Sequence, residues 1–520
     1  MSVPNYDAEL NEFGYQNKLK RTLGGFHTFA AGISYISVLT GTFQLSYFGI
    51  SFGGPAYWWS WPMVFLGQLC VALSFAELAS QYPIAGSVYN WAKKLGGQHI
   101  GWLAGWMMLV ASIVSIAATA LAYQNTLPQI WEGFQLVGDG STSTDQAVNG
   151  IVLASALVLF TTLVNAFGVR LMARINSFGV FLELVAAVLL IVALALASNH
   201  SPDVVLDTQG TEAAYGGNYF YAFLVAAIAS SYVMYGFDTA SSLGEESIDP
   251  HRNAPKAILR ALIASFVLGG LILLFGLMAA RDLAAPELRS NGLQFVLNDS
   301  LGPVVGRLFL LAIFIAITVC VLAVHTAAIR IAFAMARDNA LPAGNKLARV
   351  SPRFQTPVVP AVLIGVLAIA LLAVNINQPQ IFTAITSLAI ILIYISYLLV
   401  TVPMLIARIR GKWSSKPQEG RFRLGKFGLP INVLAVLWGA GMAINLAWPR
   451  REVYNAEPPF HWYLQYSSVL FVGIAALGGF AYYWFVQRHR IGVLQEHASQ
   501  PVSPEGDAEA VAVNEGVAKK

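Results

Sequence analysis

Apolar and polar positions in this chain alternate as long apolar runs and short polar connections, and two of the runs are interrupted in their middle by glycine and small polar residues. Runs of about 20 apolar residues, the length a helix needs to cross a bilayer, recur near 26–50, 57–82, 100–131, 148–169, 175–198, 219–244, 257–281, 303–335, 357–376, 381–408, 427–449 and 461–486. They predict an all-α integral membrane protein with twelve transmembrane helices. The first interrupted run carries Ser37-Val38-Leu39-Thr40-Gly41, and the sixth carries Tyr235-Gly236-Phe237-Asp238-Thr239. Lipid offers an unwound backbone no hydrogen bonds, so a helix breaks in a membrane only where the freed groups line a cavity or bind something. Interruptions at corresponding places in two halves of a chain point to a transport site.

Composition removes the soluble alternatives. Of 520 residues, 56% are hydrophobic and 11% charged, against roughly 25% charged in a soluble domain. A net charge of +4, dispersed along the chain, does not fit a nucleic-acid partner. Its distribution says more. With the amino terminus inside, 26 of the 31 Lys and Arg fall on the cytoplasmic side, leaving Arg281, Arg289, Arg307, Arg450 and Arg451 outside. That is the positive-inside pattern for twelve spans in a cytoplasmic membrane with both termini cytoplasmic. The outward stretches 132–147 and 199–218 contain no Lys or Arg and read as solvated loops. Cys70 and Cys320 both sit in apolar runs, so neither a disulfide framework nor a metal cluster is expected. Asp7, Glu9 and Glu12 break the order of a cleaved signal peptide. The tail from about Glu496 reads as disordered, and neither end is expected to take part in transport. No phosphate loop, metal-ligand spacing or nucleophile elbow is present in the sequence, so the chain is not read as an enzyme and no cofactor is expected. Uphill transport then draws on exchange or an ion gradient, and one charge crossing 100 mV is worth about 2.3 kcal/mol.

Three ordered motifs carry a family resemblance. The second span ends in Ala76-Glu77-Leu78-Ala79-Ser80-Gln81-Tyr82-Pro83-Ile84-Ala85-Gly86-Ser87-Val88-Tyr89; Tyr235-Gly236-Phe237-Asp238 leads to Gly244-Glu245-Glu246 and Asn253-Ala254-Pro255; Ala336-Arg337-Asp338-Asn339-Ala340-Leu341-Pro342 is followed by Ser351-Pro352 and Thr356-Pro357-Val358. Together they resemble the amino acid-polyamine-organocation superfamily, closest to its amino acid, choline and GABA permeases. The resemblance implies a leucine-transporter-like 5+5 inverted repeat with two peripheral helices. The chain then divides into a cytoplasmic segment (1–25), a first repeat (26–198), a second repeat (219–408), helices eleven and twelve (427–486) and a cytoplasmic tail (496–520). It also implies a secondary active transporter working by alternating access; a non-transporting nutrient sensor with the same binding site is the alternative.

Helix breaks have chemistry of their own. Each creates an amino end with free N–H groups and a carboxyl end with free carbonyls, so one site holds both poles of a zwitterion. The expected substrate is a small zwitterionic or cationic molecule: an amino acid, a GABA-like acid or an amine. Its carboxylate is expected at the amides of Leu39, Thr40 and Gly41 beside Ser37, and its ammonium at carbonyls around Tyr235 and Gly236. Gly41 and Gly236 would let backbone approach the ligand, or simply let helices pack. Asp238 either pairs with a cationic group or caps the half-helix beginning at Thr239. Phe237 either closes over substrate, as the resemblance implies, or is one more core aromatic. Thr119, with Ser112 and Ser115, gives the third span a polar face toward the bundle. Glu183, on one face with Asn176 and Gly179, and His325 are candidates to carry a coupled proton, with a structural hydrogen bond as the alternative for each. Glu77 is read as pairing with a basic loop residue, and Gly101 and Gly105 as a packing pair. Span five has no Lys, unlike some proton-coupled members of the superfamily.

Overall fold

The computed structural model describes residues 10–498 apart from 12, 17, 18, 20, 374–380, 414–420, 457 and 459. Nearly all of the expected disordered tail lies outside the described residues. Among those described, regular structure is entirely helical, with two isolated β-bridges. Among the described residues nine helices are long and apolar enough to cross a membrane, so the chain is a multi-pass membrane protein.

The helices used below are α1 (Gly25–Ile36), α2 (Val38–Gly53), α3 (Ser60–Gln81), α4 (Ser87–Gly96), α5 (Gln98–Ala120), α6 (Ser143–Ala166), α7 (Val169–Leu196), α8 (Tyr219–Val233), α9 (Thr239–Ser242), α10 (Pro250–Ala279), α11 (Leu293–Arg337), α12 (Val358–Ala373), α13 (Ile381–Ile409), α14 (Gly428–Ala447) and α15 (Ser467–Tyr482). The three apolar runs missing from the nine have visible causes. The first is cut into α1 and α2, the sixth stops at Val233, and α12 has 16 residues and adjoins an undescribed segment. α11 begins ten residues before its expected start, because a short helix precedes a kink at Gly302 (φ +79°) and Pro303 opens the continuation. Proline is tolerated in that first turn, where its missing N–H has no helical partner.

The broken helices occupy the middle of the bundle. α1 packs on α10, α7 and α11, and α2 packs on α8 and α11. Around them α3 pairs with α10, α5 with α13 and α11, α7 with α11, and α6 with α12. By contrast α15 leaves Ile474, Leu477 and Phe485 beyond its end on the outside, as a lipid-facing helix does. Gly101 and Gly105 are packing residues, since an added Cβ would lie 2.6 Å from Lys93 and 2.8 Å from Met335.

The end of the bundle bearing the amino terminus is closed by ion pairs. Arg330 meets Glu246 and Arg337 meets Glu245 in two-pronged pairs, each 2.9 Å at closest approach. Glu77 pairs with Arg408, which is the basic partner expected for it. The chain before α1 is docked here: Tyr15 is buried, donates to Asp338 at 2.8 Å, and lies 3.7 Å under the Arg337 guanidinium. Lys93 and Tyr89 converge on the same Asp338. Burial, reinforced by the charge of Asp338, pushes the Tyr15 and Tyr89 phenols well above the usual tyrosine range, so both stay protonated donors. Gln16 also bonds His497, joining both ends of the described chain. Spaced polar residues such as Tyr15 do not announce this docking in the sequence.

Candidate functional site

The first helix breaks at one residue. Ser37 adopts a left-handed conformation (φ +39°, ψ 86°) between α1 and α2, a strained geometry for a non-glycine side chain. Its N–H still reaches the Ile33 carbonyl, and its own carbonyl receives the Gly41 N–H at 2.9 Å. The Gly41 amide is therefore taken, which corrects the expected set of free donors. A Cβ at Gly41 would stand 2.7 Å from Val233, so this glycine lets α2 and α8 close on each other.

The new amino end of α2 is filled by a carboxylate of the protein itself. Glu183, from α7, accepts from the Ser37 hydroxyl at 2.9 Å and the Leu39 N–H at 3.3 Å. Thr40 Oγ1 is 2.6 Å from Ser37 Oγ. The α7 stripe predicted from Asn176, Gly179 and Glu183 does face the first break: Ser34 donates to Asn176 at 2.8 Å, and α11 lies so close that a Cβ at Gly179 would be 2.2 Å from Val319. Glu183 is buried, its second oxygen lacks a hydrogen-bond partner, and among the described residues no cation pairs with it.

The second break spans Met234 to Asp238. Gly236 has φ +83°, and an added Cβ would fall 1.9 Å from the Tyr35 ring; conformation and space both require glycine. Tyr397 of α13 organises this turn, accepting from the Gly236 N–H at 3.0 Å and donating to Asp238. Asp238 thus has a phenol as partner, and the capping alternative is not realised, since its side chain makes no cap to α9. Thr239 Oγ1 and Ser241 Oγ are buried without partners. Phe237 packs against Phe75 and Tyr397, as a core aromatic does.

Three tyrosines from the broken helices meet the polar face of α5. Tyr35 lies beside Ser112, Tyr235 beside Ser115, and Tyr232 is 3.3 Å from Thr119. The expected Ser112, Ser115 and Thr119 stripe therefore aims at both breaks. Tyr235 contacts Tyr35 and Tyr232 edge-on, each at 6.0 Å. Above them Tyr232 donates to Gln44 at 3.0 Å, and Gln44 donates to the Ala118 carbonyl. Gln44 also lines a cavity of about 820 Å³ at the end opposite Tyr15, with Gln124, Gln129, Gln294, Glu132 and Asp139 in its lining and no Lys or Arg.

His325 stands apart. It bridges α6 and α12, with Nδ1 3.1 Å from Thr161 and Nε2 3.0 Å from the Ala361 carbonyl, which is the structural alternative. Sequence reasoning missed Tyr397 and Gln44: Tyr397 comes from α13, a helix without a visible break, and Gln44 lies in α2 beyond the interrupted segment.

Two interrupted helices at the buried centre of an apolar bundle, near a polar cavity, are the arrangement of a transport site in a membrane protein. Comparison with known proteins names the kind. The amino acid permease family model matches residues 23–475, and the chain belongs to that family, within the amino acid-polyamine-organocation superfamily. It is similar to the amino-acid permease BAT1 of Arabidopsis thaliana, 27% identical with 94% of this chain and 96% of the relative covered. It is also similar to the methylthioribose transporter of Bacillus subtilis, 28% identical over 72% and 81% of the two chains. The thiamine transporter thi9 of Schizosaccharomyces pombe is 27% identical over 85% and 80%.

Proposed function

We propose that this permease is a secondary active transporter of amino acids or closely related amines, working by alternating access in the cytoplasmic membrane with both termini inside. The observation that carries the reading is the pair of adjacent breaks with a carboxylate seated on the fresh amino end of α2. Glu183 already makes the contacts a substrate carboxylate would make. A substrate entering there competes with Glu183 for the Leu39 amide and the Ser37 hydroxyl, and Glu183 is released to take a proton on the same membrane face. Substrate and proton then move together, which assigns coupling to Glu183 in preference to His325. The substrate ammonium faces the carbonyls that end α1 and α8, walled by Tyr35, Tyr235 and the hydroxyls of Thr119 and Thr239.

The helix pairings support the twelve-span, 5+5 arrangement. Numbering spans from α1 and α2 as one, the contacts of three with ten and of eight with five exchange under a swap of the two halves, and one with six, two with seven and four with nine map onto themselves. The acidic, amide-rich cavity favours cargo without net negative charge. Gln44 lines it and is bonded to Tyr232, which lies beside Thr119, so these hydrogen bonds part as substrate moves from the cavity to the breaks.

Counterflow in proteoliposomes tests this. Labelled amino acid or amine should exchange for its unlabelled form across the membrane, and binding without exchange would replace the carrier by a sensor. Gly236→Val should abolish exchange while the protein still inserts.

A further inference from the structure

At the end of the bundle bearing the amino terminus, a second cavity of about 310 Å³ opens between the corner joining α6 to α7 and the loop preceding α12. Arg170 and Arg353, from opposite halves of the chain, both line it, with Thr22 from the lead into α1 and Gln355. Both arginines are exposed, and among the described residues neither meets a carboxylate. This sets them apart from Arg330, Arg337 and Arg408 at the same end, each of which has one. The start of the 28-residue α7 opens into the same space, so the amides of Val169, Arg170 and Leu171 precede any in-helix acceptor and add partial positive charge. Gly168 makes the corner possible with φ +128°.

The surroundings say what kind of anion belongs here. Leu163 (55% exposed), Phe167 (56%), Leu171 (43%) and Phe178 (65%) form an outward apolar strip along α6 and α7. Phe167 and Leu171 are at once members of that strip and walls of the cavity. An occupant therefore has its charge between two guanidiniums and its body along the membrane-facing surface. A free anion would use the first feature and gain nothing from the second; a phospholipid uses both.

We propose that the cavity bounded by Arg170, Arg353 and the start of α7 is a binding site for the phosphate headgroup of an anionic phospholipid, whose acyl chains lie on the Phe167–Phe178 strip. Because Thr22 lines the site, and Thr22 and Leu23 bond the Glu246 carbonyl, the lipid ties the lead into α1 to the corner beneath α7. It thereby favours the state in which this end is closed. The site does not depend on which substrate is carried.

The test uses the full chain, delipidated and then offered mixed vesicles of phosphatidylglycerol and phosphatidylcholine, with retained lipid read by native mass spectrometry. Two basic contacts at about 1 kcal/mol each correspond to about a thirtyfold loss of phosphatidylglycerol retention in the Arg170→Gln/Arg353→Gln variant, at 1.36 kcal/mol per decade. The Arg170→Lys/Arg353→Lys variant should retain most of it, which separates loss of charge from misfolding. An Arg410→Gln/Lys412→Gln control, removing two exposed charges from the same end, should leave retention unchanged. Equal losses in test and control would reduce the effect to general basic attraction and overturn the site. Displacement of the lipid by millimolar inorganic phosphate would overturn the lipid assignment in favour of a free anion.

Discussion

The protein buries charge in two places and treats it in opposite ways. At the amino-terminal end Glu245, Glu246, Glu77 and Asp338 each have a cation in contact. At the helix breaks Glu183 and Asp238 are just as buried and hold only hydroxyls and amides. A buried ion pair in good geometry is satisfied and rigid, whereas a buried carboxylate without a counter-charge needs a proton, an ammonium or a rearrangement. One region is thus made to hold and the other to exchange.

The largest expected effect is at the compensated end. Arg330→Ala strands Glu246 without its partner and should cost about 3–5 kcal/mol of stability, whereas replacing both partners, as in Arg330→Met with Glu246→Leu, should cost far less. Thermal unfolding in detergent checks both. If the single variant is as stable as the parent, this end is not a lock and the contrast fails.

At the breaks, the second largest effect should come from Gly236→Val. A β-branched residue at φ +83°, against Tyr35, carries about 1–3 kcal/mol of backbone strain in addition to the clash. Uptake should vanish while the Arg330 and Arg337 pairs keep the protein folded, which a thermal scan beside the transport assay would show. Gly41→Val should behave differently, loosening the α2–α8 contact with Val233 and lowering stability as well as uptake.

This division also explains how much was legible in the sequence. Apolar length and the Lys and Arg asymmetry made the helices visible, because lipid imposes both on any chain. Glycines and small polar residues marked the breaks, since local backbone need shows locally. The α7 stripe and the α5 hydroxyl face were readable for the same reason, being periodicities on single helices. What the breaks bind to within the protein was not readable. Tyr397 reaches Gly236 and Asp238 across 159 or more positions, and Glu183 reaches Ser37 across 146; such pairings are decided by packing of distant helices and leave no mark on either segment. Gly41 is instructive: its sequence setting leaves ligand approach and helix packing both open, and its surroundings show the packing contact with Val233.

Glu183→Gln sharpens the comparison further. The amide keeps an oxygen to accept from Ser37 and Leu39 but can no longer gain or lose a proton. Stability should hold, counterflow should persist, and the dependence of uptake on a pH gradient should disappear. An unchanged gradient dependence would take coupling away from Glu183 and leave the binding site standing. Tyr397→Phe removes one partner from both Gly236 and Asp238 and should weaken substrate affinity by about tenfold, the scale of a lost hydrogen bond of about 1–1.5 kcal/mol.

The smallest effect belongs to the open polar cavity, where charge is neither locked nor buried. Glu132 and Asp139 lie among amides with no basic neighbour in the lining, so they act on approaching cargo through the field of an open mouth. Glu132→Gln with Asp139→Asn should slow uptake of a cationic substrate by a few-fold at low ionic strength, leave a zwitterion nearly untouched, and lose even that difference in concentrated salt, as long-range steering does. The maximal rate should not move, because neither residue touches the breaks. A salt-insensitive loss for both substrates would instead make these acids part of the binding contacts, and the polar cavity would then belong with the exchanging centre rather than stand apart as its antechamber.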